Sequence, residues 1–231
     1  MIILGLDALD KNMVEKFNCK NLKQTKYGET NISEFELERT VVLWASFLTG
    51  KNMEKNIPLK EQWNFKLKKG ETFFKYFNSY KTIDVPAFSH KQKIHEEERK
   101  LMKGYFENKN TIEEFDNVVW QIHEKNKSEF FDSLENIEIL MGYFNLADSI
   151  GHMSFGDHKK MKNVYKELDS IAREIKNSDN FIIIVSDHGM KAVGRFGDHS
   201  KYGFYSCNQS LDLKNPKITD FFKIIKEIST N

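Results

Sequence analysis

The stretch Phe181–Val185, running directly into Ser186-Asp187-His188-Gly189, constrains this chain more than any other. Five consecutive aromatic and β-branched residues without polar alternation read as a short, fully buried strand. Two ionisable side chains at the end of such a strand are costly to bury unless something pairs with them. A carboxylate beside an imidazole also makes a good ligand pair for a divalent transition metal. Gly189 lets the backbone turn sharply just beyond them. The plain alternative is a strand ending in a polar loop, with Asp187 capping the next element.

With 231 residues, the chain has room for one large domain or two small ones and for a sizeable core. Hydrophobic residues at 39% and charged residues at 30% describe a globular chain rather than a disordered one. A formal net charge of +1 lacks the basic excess of a nucleic-acid binder, so stable nucleic-acid binding is not expected. No apolar run approaches the roughly 20 residues of a membrane span. The N-terminus, MIILGLDALD, reads as a first strand rather than a signal peptide. Cys19 and Cys207 are too few for a disulfide framework, so free thiols and a cytoplasmic location are expected.

Residues 2 to 6 read as a buried strand ending at Asp7, and residues 10 to 38 carry only weak structural signals. Thr40 suits an N-cap and Gly50 the position past a helix end, which predicts a helix of about nine residues between them. Residues 51 to 70 read as loop, and 81 to 85 as a strand ended by Pro86. Residues 90 to 135 are dense in Lys and Glu, with apolar residues at helical spacing. They predict two or three amphipathic helices, packed on the sheet or forming a small cap or insertion. A strand over 137–144 leads to Asp148, and a helix follows over 157–176. The buried strand at 181–185 comes next, then a short strand at 203–206 and a terminal helix at 218–228. Lys162 and Lys166 fall opposite the apolar stripe of the 157–176 helix, which reads as a crossover between two parallel strands.

Alternating strands and helices imply an α/β fold with a largely parallel sheet. Ligands of such sheets bind beyond the carboxyl ends of the strands, where Asp7, Asp148 and Asp187 all stand. His152 lies four residues after Asp148, a spacing that puts both on one face of a helical turn. His199, in Gly197-Asp198-His199-Ser200, adds a further imidazole. Asp7, Asp148, His152, Asp187, His188 and His199 are too many ligands for one tetrahedral ion but suit two. Two adjacent ions would clamp a phosphoryl group. Thr40, at a helix N-terminus that favours phosphate, is the candidate nucleophile, activated by metal coordination. Taken singly, Asp148 could cap a turn, His152 and His199 could be surface histidines, and Thr40 a plain N-cap.

The ordered motifs LGLDAL, RTVVLWASFLTGKN, FNLADSIGHMS, VSDHGM and GDHSKYGF together resemble the alkaline phosphatase superfamily. The branch most similar is that of type I phosphodiesterases and nucleotide pyrophosphatases of archaeal type. The resemblance runs from residue 2 to about 207. It implies a three-layer α/β sandwich, helices on both faces of a central sheet, as a single domain over 1–231. It implies one metal held by Asp7, Thr40, Asp187 and His188, and another by Asp148, His152 and His199. The mixed nitrogen and oxygen ligands point to zinc first, with manganese the alternative. Thr40 matches the nucleophile that forms a covalent phosphoryl intermediate, and the implied substrate is a small phosphorylated or nucleotide-like molecule. The chain departs from the pattern at Val42, where the family often has proline, and at Asn56-Ile57, where it has His-Gly. It is also short for the family.

Other readings remain at this point. A phosphoglycerate mutase-like phosphotransfer enzyme shares these metal motifs but carries a large second domain. A non-catalytic metal-binding relative would not need Thr40 with the full ligand set. A sulfatase is excluded because Thr40-Val41-Val42-Leu43 lacks its nucleophile motif. His90, His95, His123 and His158 are expected on exposed helical surface, His90 being the nearest to a strand end. Lys191 and Arg195 read as a solvated loop that could meet substrate charge.

Overall fold

The computed structural model describes residues 1–135, 137–211 and 213–229. Ile2–Leu6 forms β1, buried along its whole length. It pairs in parallel with β4 (Ile139–Phe144) on one side and β5 (Ile182–Val185) on the other. β3 (Tyr80–Ile83) continues the parallel set beyond β4. β8 (Tyr202–Cys207) runs antiparallel to β5, and β2 (Lys26–Asn31) antiparallel to β8. The resulting six-stranded order is β2-β8-β5-β1-β4-β3. The fold is thus α/β with a central, mostly parallel sheet, as the alternation of elements predicts.

Strand alternation divides the core in two. Ile2, Leu4 and Leu6 join one core, with Val14 of α1 (Lys11–Lys16) and Phe115 of α4 (Ile112–Asp132). Ile150 of α5 (Leu146–Ser154) and Leu168 of α6 (His158–Ile175) belong to the same layer. Ile3 points the other way, into a core with Phe47 of α2 (Thr40–Thr49) and Ile225 of α7 (Phe221–Ser229). Region 90–135 forms two helices, α3 (Gln92–Phe106) and α4, and α4 packs on β3 and β4. Gly5 lies where a Cβ would come 2.7 Å from Trp44 Cη2. Trp44 is itself wedged edge-on against Phe47 and Tyr143. Gly5→Val is expected to cost about 1–3 kcal/mol by overpacking, read as a lower urea midpoint. An unchanged midpoint would mean that the indole can move aside.

Several elements differ from the sequence expectations. Arg39, extended, is the N-cap of α2, so Thr40 is its first helical residue rather than its cap. The Arg39 guanidinium instead donates to the carbonyls of Ile57 and Glu54. Gly50 ends the helix in the left-handed conformation (φ 68°), as its position predicts. The weakly patterned 10–38 region holds α1, capped by Asp10 Oδ1 accepting from Met13 N, and the edge strand β2. Residues 189–200 form a hairpin, β6 (Gly189–Val193) and β7 (Phe196–Ser200), where a loop was expected. His95 and His123 are buried rather than exposed, because Asp84 and Glu98 pair with the first and Glu167 with the second. His158 is exposed.

Cys19 and Cys207 are free and buried. Among the described residues, no helix is long and apolar enough to cross a membrane. α6 lies between the parallel strands β4 and β5, and Lys162 and Lys166 are exposed on it. Replacing both lysines with alanine should leave turnover of a nitrophenyl phosphodiester nearly unchanged. A large loss with an intact melting transition would put that face in the site.

Candidate metal centre

β1, β4 and β5 end on the same edge of the sheet because they are parallel. Asp7 follows β1 directly, and its amide donates to the Phe144 carbonyl at the end of β4 (3.0 Å). Asp187 and His188 follow β5. Asp148 and His152 lie one turn apart on α5, the helix that starts as β4 ends. His199 arrives on β7, paired with Met190 of β6, and the hairpin packs against α5. Thr40 opens α2 and lines the same cavity of about 310 Å³ as Asp7, Asp148, His152 and His199.

Two groups of ligand atoms converge. In one, His188 Nε2 lies 3.3 Å from Asp7 Oδ1 and 3.5 Å from Asp187 Oδ2. In the other, Asp148 Oδ1 lies 3.3 Å from His152 Nε2 and 3.4 Å from His199 Nε2. The His188 and His199 rings stack with centroids 3.8 Å apart, so the groups adjoin. Each imidazole turns Nδ1 to a backbone carbonyl: His188 to Gly189, His152 to Gly197, His199 to Glu38. A carbonyl only accepts, so Nδ1 carries a proton, and it is Nε2 that, once deprotonated, can offer a lone pair to a cation in the site. His152 Nε2 and His199 Nε2 then face each other at 2.9 Å, an arrangement that asks for a cation.

Burial without partners points the same way. Asp7 Oδ1, Asp148 Oδ1, both Asp187 oxygens and His188 Nε2 are buried and, among the described residues, find no hydrogen-bond partner. Buried groups of this kind are as a rule satisfied by an ion or an ordered water, and a carboxylate–imidazole set suits a cation. Burial, reinforced by the Asp148 charge, pushes Asp7 up to about 7. Burial and the neighbouring Asp7 raise Asp187 well above the usual carboxylate range. At Asp148 burial is outweighed, and His152 and His199 hold the carboxyl well below that range. The Asp148 charge raises His152 to about 9, whereas burial lowers His188 to about 3. The residues therefore fit divalent cations, by donor type and by the atoms left without partners.

The structure brings together Asp7, Asp148, His152, Asp187, His188 and His199, with Thr40 on the cavity wall. Lys191 and Arg195 stay outside the cavity, paired with Asp198 and Tyr105 on the exposed hairpin. Sequence reasoning missed Tyr143, a buried strand residue that donates a short hydrogen bond to Asp7 Oδ2. Nothing in an apolar strand pattern marks one tyrosine as facing a carboxylate.

The profile of the type I phosphodiesterase / nucleotide pyrophosphatase family matches residues 60–202, more than half of the chain. That span includes Asp148, His152, Asp187, His188 and His199 but not Asp7 or Thr40. No curated protein matches. Among solved structures, a mutant alkaline phosphatase from the Antarctic bacterium TAB5, with magnesium bound, aligns over 99% of this chain and 97% of its own. Its TM-score is 0.57 at 10% identity, a likeness of fold. Murine ectonucleotide pyrophosphatase/phosphodiesterase 5 aligns at TM-score 0.44 and 12% identity, over 84% of this chain and 58% of its own. Phosphonoacetate hydrolase from Sinorhizobium meliloti aligns at 0.44 and 14%, over 82% and 56%. The chain thus spans little more than half the length of the last two.

Proposed function

The chain belongs to the type I phosphodiesterase / nucleotide pyrophosphatase family of phosphoric ester hydrolases, and from that premise we propose that it cleaves phosphodiester, pyrophosphate or monoester bonds through Thr40 and two divalent metal ions. The observation that carries this reading is the set of buried ligand atoms without partners on one wall of a cavity that Thr40 also lines. Asp7, Asp187 and His188, with Thr40, would hold one ion, and Asp148, His152 and His199 the other. Zinc is the first expectation and manganese the second. Ions there would neutralise phosphoryl charge and stabilise the attacking and leaving oxygens.

The chain's own groups supply the rest. Thr40 stands at the first position of a ten-residue helix whose N-cap side chain makes no hydrogen bond to it. Its backbone N–H groups and dipole favour a bound phosphate there. The Thr40 oxygen attacks phosphorus in line as its proton passes to solvent, the P–O bond to the leaving group breaks, the departing oxygen leaves with the bonding pair, and a phosphorylated Thr40 forms. Water then attacks the phosphothreonine and returns the Thr40 hydroxyl. Tyr143 fixes one oxygen of Asp7 by hydrogen bonding, which leaves Oδ1 directed at His188. The substrate on this reading is a small phosphorylated or nucleotide-like molecule.

The test is metal content together with turnover. Metal-replete protein is expected to hold close to two ions per chain by elemental analysis and to release nitrophenol from bis-nitrophenyl phosphate. Well under one ion per chain, or no release from mono-, di- or pyrophosphate esters, would overturn it.

A further inference from the structure

The cavity also carries groups that hydrolysis leaves unused. Asp84, just beyond β3, forms a buried row with His95 and Glu98. His95 Nε2 donates to Asp84 Oδ2 and Nδ1 to Glu98 Oε2, each at 2.8 Å. Against the pull of burial, these bonds raise His95 to about 9. Asp84, His90 and His95 stand close enough to suggest a further metal site. With both His95 nitrogens engaged as donors, that cluster is an ion-paired scaffold instead.

His90 stacks on His95, with centroids 4.3 Å apart and planes 14° apart. Its side chain is only 9% exposed, and Nδ1 faces Asp84 Oδ1 at 3.2 Å. Nε2 is buried, without a partner, in a ring that lines the cavity. Arg99, one turn beyond His95 on α3, lies with its guanidinium 4.3 Å from the centre of the Trp63 ring and also lines the cavity. Among the described residues, it makes no hydrogen bond or ion pair.

We propose that His90 Nε2 and the Arg99 guanidinium form a subsite for a second anionic group, phosphate or carboxylate, on the substrate whose scissile phosphate sits by Thr40. The inference rests on the hydrolytic reading and narrows its substrate class to small phosphoesters that carry two anionic groups. A buried imidazole nitrogen without a partner is costly, and an anion that relieves it would meet the Arg99 guanidinium lining the same cavity. Trp63 ties the two groups to one place: the Arg99 guanidinium lies over its ring, and the His90 ring stacks beside it with centroids 6.2 Å apart. Glu98 and Glu96 attract Arg99 electrostatically without forming an ion pair with it, and the oxygens of Asp84 and Glu98 are engaged elsewhere. Asp84 is occupied by His95, Asn126 and the Lys91 amide, and Glu98 by His95, Asn145 and Ser149. A cavity of about 310 Å³ limits the ligand to a small molecule.

Calorimetric binding of three probes to metal-replete protein tests this: propylphosphonate, 3-phosphonopropionate and ethylenediphosphonate. At least one of the two doubly anionic probes is expected to bind about tenfold tighter than propylphosphonate, the scale of one charge-assisted hydrogen bond. Which of them binds tightest identifies carboxylate or phosphate as the second group. In Arg99→Gln the three affinities are expected to converge, and His90→Phe, which keeps the ring stack, gives a second variant should the first fold poorly. Equal affinities in the unaltered protein overturn the proposal. So does a preference that survives in both variants, since chelation by the metals alone would produce it. Because heat is read rather than turnover, a preference without nitrophenol release strikes the hydrolytic reading and leaves the subsite standing.

Discussion

Thr40→Ala is expected to cut turnover by roughly three orders of magnitude or more, the scale seen when a covalent nucleophile is removed. Metal content and melting temperature should stay close to those of the unaltered protein. Thr40 is the first helical residue, and the cap position belongs to Arg39, so no capping bond is lost. Alanine is also the better helix former, so stability should change by no more than about 0.5 kcal/mol. The six carboxylate and imidazole ligands remain in place. Thr40→Ser keeps the oxygen and should keep a measurable fraction of the activity. Substantial turnover by Thr40→Ala with both metals bound would mean that water attacks phosphorus directly and that no phosphothreonine forms.

The parts of this fold that the sequence makes legible share one physical property: their pattern is local. β1, β4 and β5 are continuous apolar runs because both faces of the sheet are covered. Asp148 and His152 are readable as a pair because helical spacing alone brings them together. The carboxylates at the strand ends follow from the parallel topology. What is not legible depends on partners remote in sequence. β2 is a half-exposed edge strand that pairs with β8, nearly the whole chain away. β7 is mostly polar, and the register that sets His199 opposite Met190 appears only once the hairpin folds. His95 lies in a Lys- and Glu-rich helix, yet it is buried because Asp84 reaches it from the end of β3. Trp63 and Arg99 meet across residues that carry no common pattern. The start of α2 shifts by one residue because Arg39 is extended there while its side chain is engaged elsewhere, a geometry that Thr40 as a cap residue conceals.

Removing the metals should destabilise the protein most at alkaline pH. In the metal-free chain burial raises Asp7 from 3.8 to about 7. A carboxyl raised in this way stays protonated in the folded chain after the unfolded chain has ionised, so stability falls as pH rises through that interval. Asp148, above all, raises His152 from 6.5 to about 9. An imidazole raised in the fold contributes stability that is complete below 6.5 and lost as pH climbs through about 9. His188, lowered by burial to about 3, acts in the opposite sense, but only below its ordinary 6.5. Between pH 6.5 and 9 the cluster therefore loses stability in one direction. Divalent ions reverse this, because they require deprotonated ligands and bind more tightly as pH rises. With metal at about a hundred times its dissociation constant, the melting temperature at pH 8 should exceed that of chelator-treated protein by about 5–10 °C. The gap should widen from pH 6.5 to 9. His95 titrates in the same range, but its contacts with Asp84 and Glu98 lie apart from the metal ligands and are the same in metal-bound and chelator-treated protein, so its contribution cancels from the difference. Melting curves that run parallel across this range, with and without chelator, would mean that the buried carboxylates are not relieved by a cation and that the ligand reading of Asp7, Asp187 and His188 is wrong.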